Sequence, residues 1–162
     1  MADGITMLRV KSIIESDPAR RYVVVSAPGK RFGGDIKVTD LLYETYDNVV
    51  VSGETGAAFE KICERFRGIV SELKLDMDID AILAETGEAI VKEASPDFCA
   101  SRGEYLSGRV MAELLGIPFI DARDVVKFGP DGKLDNKRTY ALLAEALKGK
   151  KRALVTGFYG ED

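Results

Sequence analysis

Histidine is absent from this 162-residue chain, and cysteine occurs only at Cys63 and Cys99, with no CxxC spacing. That removes the usual ligands of a zinc site and the usual base for a hydroxyl or thiol nucleophile, so no metal site is expected. Both thiols are expected to pack as small buried apolar groups. No apolar run approaches the roughly 20 residues needed to span a bilayer, and no basic segment leads into an apolar core and cleavage site at the N-terminus. A soluble cytoplasmic protein without a membrane partner is the expectation. Blocks of one charge sign are also missing: 23 basic and 27 acidic residues, net charge −4, are spread along the chain. Nucleic acid is therefore not an expected partner. The length suits one domain, which at this size buries roughly 70% of its unfolded surface.

What is present alternates between helical and strand-like apolar spacing, the pattern of an α/β fold with a mainly parallel sheet. Ile5, Leu8, Ile13 and Ile14 mark an opening helix that Asp17-Pro18 stops. Tyr22 to Ala27 is a short β-branched run without alternation, predicting a central strand buried on both faces. After a glycine-containing loop through Gly33 and Gly34, Thr39 reads as the N-cap of a helix. Phe59, Ile62, Phe66, Ile69, Val70 and Leu73 form one apolar stripe on a helix from about Glu54 to Leu73. A further helix spans about Asp80 to Glu93, weakened by Gly87. Ser95-Pro96-Asp97 opens another, which Gly116 closes.

Ile117 to Asp121 then reads as a strand delivering Asp121 and Arg123 at its end. Pro130-Asp131-Gly132 turns a small hairpin between Val125–Phe128 and Lys133–Leu134. Asp135 caps a last helix carrying Tyr140, Leu143, Ala144 and Leu147, and Arg152 to Phe158 forms the final strand. In doubly wound folds ligands sit beyond the carboxyl ends of the strands. Here those places are the Ser26–Val38 loop, the region after Asp121, and Thr156 onward.

The segment Gly29-Lys30-Arg31-Phe32-Gly33-Gly34 fits neither GxxxxGK[ST] nor GxGxxG, and alone it reads as a turn with solvated Lys30 and Arg31. Ser101-x-x-Glu104 has the spacing of a capping box. Asp121 and Arg123 fit an ordinary strand-end ion pair. Thr156-Gly157 fits a strand entering a tight turn.

Taken in order, four segments resemble the amino-acid kinase family and, within it, aspartokinases. Val23-Val24-Val25-Ser26-Ala27 followed by Val38-Thr39-Asp40-Leu41-Leu42 resembles the family's strand, substrate loop and helix. Ser101-Arg102-Gly103-Glu104 with Leu106-Ser107 resembles its S-x-G-E-x-L-S motif. Phe119-Ile120-Asp121-Ala122-Arg123 resembles F-x-D-x-R, and Val155-Thr156-Gly157-Phe158-Tyr159-Gly160 resembles V-T-G-F-I-G.

The resemblance implies a three-layer αβα fold with a mainly parallel central sheet, incomplete at both ends. It also implies a full enzyme that transfers the γ-phosphoryl group of ATP, with Mg²⁺, to the side-chain carboxylate of L-aspartate, the first step toward lysine, threonine and methionine. The acceptor is already ionised, so positioning and charge neutralisation carry the reaction and no general base is needed. By the same resemblance Glu104 receives the aspartate ammonium, Thr39 and Ser26 bind substrate, and Ala27, Thr156 and Gly157 line the site. No residue is assigned as a catalytic group, and a homodimer is the implied assembly.

The chain departs from the family at both ends. It opens near the helix that follows the family's K-F-G-G strand, and it stops before the G-R-G-G-S-D loop, the substrate-binding arginine, the nucleotide pocket and the regulatory ACT domains. Residues 1–162 are thus expected to be the substrate-binding front part of an amino-acid kinase domain. Neither kinase activity nor tight cofactor binding is expected of them alone, and two other readings stay open: another kinase of the same fold acting on a different carboxylate, carbamate or nucleotide, and a non-catalytic α/β binding module.

Overall fold

The computed structural model describes residues 1–161. Seven helices and three strands follow one another as α1 (Gly4–Glu15), β1 (Tyr22–Val25), α2 (Val38–Ser52), α3 (Gly56–Leu73), α4 (Ile79–Glu93), α5 (Pro96–Leu115), β2 (Phe119–Ile120), α6 (Ala122–Val125), α7 (Asn136–Leu147) and β3 (Ala153–Thr156). The sheet is parallel throughout, in the order β1-β3-β2, with Val25 opposite Thr156 and Ile120 opposite Val155. The protein is mostly helical around this small parallel sheet.

Alternate residues of β3 face opposite ways, as a pleated strand requires. Leu154 joins the main core with Val23, Val25 and the α5 residues Leu106 and Val110. Ala153 and Val155 turn to the other face, where Leu142, Leu143, Ala146 and Leu147 of α7 cover them. The α5 helix lies against the sheet through glycines: a Cβ on Gly108 would meet Phe119 and Thr156 side-chain carbons at 2.9 Å. Only glycine allows this approach.

The sequence expectation for β1 is reversed. It is an edge strand with alternating burial, Val24 being 67% exposed and Val23 buried, and β3 holds the centre. A short all-valine run carries no period that separates one covered face from two. The opening helix forms as expected, capped by Asp3, but Ile5, Leu8 and Ile13 are exposed and Met7 and Ile14 make its buried side. In α7, Tyr140 and Ala144 face outward rather than inward. The α3 stripe, the hairpin bridge between Phe128 and Leu134, and the Asp135 cap stand as read from the sequence. Gly87 sits inside α4 against the Phe59 ring, with 3.0 Å from its virtual Cβ to the ring edge.

Both cysteines are buried and unpaired, and burial pushes Cys63 up to about 11 and Cys99 up to about 12. These thiols are inert at neutral pH.

Candidate functional site

Glu104 lies in the middle of α5, one turn beyond Ser101, so the capping-box reading of this pair does not hold. The helix is capped six residues before Ser101, by Ser95, whose hydroxyl accepts from the Phe98 N–H. Ser101 Oγ instead donates to the Phe98 carbonyl at 2.5 Å. Freed from capping, Glu104 reaches the end of β1: the Ala27 N–H donates to its Oε1 at 3.1 Å. Its Oε2 is buried without a partner among the described residues, as is Ser107 Oγ one turn further on. Burial pushes the Glu104 carboxyl above its ordinary value, and the Ala27 N–H offsets only part of that. A desolvated carboxylate with one unused oxygen is a costly feature unless a cation meets it.

Gly103 explains why the carboxylate can stand there. A Cβ at this position would lie 2.7 Å from the Ala27 Cβ and 3.3 Å from Leu42. The bare backbone lets α5 touch both the end of β1 and the start of α2.

The parallel register puts Val25 beside Thr156, so Ser26-Ala27 and Gly157 leave adjacent strands at the same end of the sheet. Ser26 is exposed and Ala27 half-buried. Gly157 passes over Val24, where a Cβ would meet its methyl at 2.8 Å, and Phe158 follows with a left-handed φ of 76°. The Thr156 hydroxyl is occupied: it accepts from the Ala122 N–H and donates to Tyr159 Oη, which donates to Asp121 Oδ1 at 2.8 Å.

Thr39 is not an N-cap. Helix α2 starts one residue earlier, with Lys37 in the cap position and no side-chain cap, and Thr39 is half-buried in its first turn. Among the described residues its hydroxyl makes no hydrogen bond. Val38 brings this helix start to the site, donating its N–H to the Pro28 carbonyl at 3.3 Å and lying 3.5 Å from the virtual Gly103 Cβ. Ser26, Ala27, Glu104, Thr156 and Gly157 are therefore gathered at one strand end, with Thr39 on the adjoining helix start.

The Asp121–Arg123 side-chain pair does not form. Asp121 caps α6, and Arg123 extends to Glu161 at 2.9 Å and Glu93 at 3.8 Å. Arg102 makes no hydrogen bond to Glu104; its guanidinium lies over the rings of Phe98, Tyr105 and Tyr159 at 4.2–5.0 Å, and its charge only partly counters the burial of that carboxyl.

Sequence reasoning missed a buried pair, Arg65 with Asp35, and with it the anchoring of the 28–37 loop. Arg31 is not simply solvated but holds the same Asp35 carboxylate by two side-chain bonds. A signal was available: Arg65 sits among Ile62, Phe66 and Ile69 on the buried stripe of α3, a place where a charge needs a partner.

A cavity of about 480 Å³ follows the open edge of β1 from Met1, Val10 and Ile14 to Ser26 and Ala27. A larger one, about 670 Å³ between the end of α2 and α4, lies away from Glu104. Among the described residues no group of three or more His, Cys, Asp or Glu converges to hold a metal ion, and Lys30 and Arg31 lie in the irregular loop after β1 rather than at a helix start. The residues present do not by themselves fit a nucleotide phosphate or Mg²⁺ site. No helix among them is long and apolar enough to cross a membrane.

A small parallel sheet whose strand ends meet a buried carboxylate from a facing helix places the protein among α/β folds. Known proteins narrow this further. The chain is 42% identical over 79 residues to aspartokinase 3 of Bacillus subtilis (strain 168), covering 49% of this chain and 17% of that protein. The structure of Clostridium acetobutylicum aspartate kinase, described as an important allosteric enzyme, matches with a TM-score of 0.93 at 42% identity, over 98% of this chain and 37% of that one. Aspartokinase III of E. coli, solved with aspartate and ADP, matches in fold with a TM-score of 0.78 at 22% identity, over 99% and 39%. No protein-family model matches the chain. It is a homologue of aspartate kinases, and it spans less than two fifths of the length of these solved relatives.

Proposed function

We propose that this chain is the amino-acid-binding part of an aspartate kinase, the whole enzyme phosphorylating the side-chain carboxylate of L-aspartate with ATP and Mg²⁺ in a cytoplasmic biosynthetic route toward lysine, threonine and methionine. One observation carries the reading: Glu104, a buried carboxylate with one oxygen on the Ala27 N–H and the other unmatched, at the carboxyl ends of parallel strands. That free oxygen suits the α-ammonium of an amino acid, since a charge-assisted bond in a desolvated cleft is stronger than in water. Ser26 and Thr39 supply hydroxyls around the same strand end, and the backbone at Ala27, Thr156 and Gly157 forms its floor. These residues bind and orient the acceptor; an ionised carboxylate needs no base to become a nucleophile. The nucleotide, the metal and the ACT domains are assigned to parts of the enzyme beyond residues 1–162, and a homodimer is the proposed assembly.

Two measurements test this. Calorimetric titration of the chain should detect L-aspartate but not succinate, which keeps both carboxylates and lacks the ammonium. Equal binding of both would remove Glu104 from the role. Hydroxamate formation with aspartate, ATP and Mg²⁺ should be absent for this chain and present when it is extended to the full length of its relatives.

A further inference from the structure

Helix α3 contributes nothing to the strand-end site directly, yet one of its side chains controls the loop that joins two halves of that site. Residues 28–37 connect Ala27 to Val38, and the loop has no helix or strand of its own. Its two ends are tied by a single guanidinium. Arg65 Nη1 donates to the Gly29 carbonyl at 3.1 Å, and Nη2 donates to the Ile36 carbonyl at 2.9 Å and to both Asp35 oxygens at 2.8 Å. Gly29 is two residues after Ala27, and Ile36 is two residues before Val38. The loop is thus pinched where it leaves β1 and where it enters α2.

Arg65 is only 6% exposed and Asp35 8%. A buried ion pair is weak grounds for stability, because desolvation offsets the attraction. What distinguishes this pair is its geometry. A rigid planar fork holds acceptors on both sides of the loop at once, and an ammonium on a flexible stem cannot reproduce that span. Arg31 meets the same carboxylate from the exposed side, so it adds charge without crossing the loop base.

We propose that Arg65 is a positioning residue, clamping the base of the 28–37 loop so that the Ala27 N–H stays on Glu104 and the start of α2 stays beside it. The assignment of aspartate to that site rests on the function proposed above; the clamp itself rests on the loop geometry alone. Its effect on ligand binding is indirect, through the Ala27–Glu104 bond and the placement of Thr39.

Amide hydrogen exchange on the 162-residue chain, with L-aspartate titration beside it, tests the clamp. In Arg65→Lys the amides of Ala27 and Val38 should exchange about tenfold faster, the amide of Leu154 in the central strand should be unchanged, and aspartate affinity should fall about tenfold. Arg31→Ala should leave the Ala27 rate within about twofold of the unaltered chain. The proposal is overturned if Arg65→Lys leaves Ala27 exchange unchanged, if Leu154 accelerates equally, or if Arg31→Ala reproduces the full effect. Should Arg65→Lys fail to fold, Arg65→Met with Asp35→Leu removes both charges together, and the same Ala27-against-Leu154 comparison decides. Absence of aspartate binding in the unaltered chain would sink the functional reading while the exchange rates still judged the clamp.

Discussion

The Ala27 N–H donates to Glu104 Oε1 at 3.1 Å across 77 residues of chain, while Oε2 of the same carboxylate is buried and has no partner among the described residues. A structure that only needed to satisfy the end of β1 could do so with a neutral acceptor. Holding an ionisable group there, with half its capacity unused, is a standing cost that a bound cation would offset.

Glu104→Gln separates those two needs. The amide oxygen can still accept from Ala27, but the charge is gone. L-Aspartate affinity should fall by about tenfold to a hundredfold, the range for hydrogen bonds to charged groups. The thermal midpoint should hold or rise, because a desolvated charge is removed. Titration calorimetry and thermal unfolding read the two effects; unchanged affinity would end the ammonium assignment.

The pH dependence of binding follows from the same burial. The Glu104 carboxyl titrates above its ordinary value of 4.5, so on acidification the folded protein takes up this proton before the unfolded chain does. Ionised Glu104 therefore costs stability above its raised value, and acidification through that value removes the cost. Ligand binding moves the opposite way. L-Aspartate affinity should drop as pH falls through the raised Glu104 value, while the ligand ammonium stays charged, and the step should vanish in Glu104→Gln. Affinity measured across pH 4–8 by titration checks both variants.

How far this site could be read from sequence depends on the kind of feature. Glu104, Ala27 and Gly157 were legible because short segments in a fixed order resemble a family. The α3 stripe and the Asp135 and Ser95 caps were legible from local periodicity and capping chemistry. The roles of Val24 and Ile5 were not. Whether a β-branched strand is central or at an edge depends on which strands lie beside it, and β3 is drawn from the far end of the chain. The capping-box reading of Ser101 failed because the spacing also fits the interior of a helix that begins at Pro96. The Arg65–Asp35 pair joins residues 30 apart, which no local window connects.

Asp35 should dominate the acid sensitivity of the loop. Hydrogen bonds from the Arg31 side chain and backbone, with Arg65 nearby, hold its carboxyl far below the usual carboxylate range. A lowered folded value means the stabilisation is complete above the unfolded value of 3.8 and is lost as pH falls below it. Asp35→Asn should destabilise the fold at neutral pH, because it leaves the Arg65 cation buried without its counter-charge. The variant should also lose less additional stability than the parent between pH 4 and pH 2. Urea unfolding at several pH values measures both; parallel curves for the two proteins would show that Asp35 is not the titrating group.

Gly103 and Gly68 offer a paired test of close approach, since both lie inside helices and lack positive φ. Alanine is the better helix former by up to about 1 kcal/mol, so propensity alone predicts stabilisation at each. At Gly68 nothing lies within 4 Å of the virtual Cβ, and Gly68→Ala should stabilise by about 0.5–1 kcal/mol. At Gly103 the new methyl would meet the Ala27 Cβ at 2.7 Å, and α5 must retreat from the end of β1. Overpacking of that kind costs about 1–3 kcal/mol, which outweighs the propensity gain. The retreat also stretches the Ala27–Glu104 bond, so Gly103→Ala should weaken aspartate binding while Gly68→Ala leaves it unchanged. Equal stabilisation by both substitutions, with binding intact, would mean that the close contact of α5 with β1 does not shape the site.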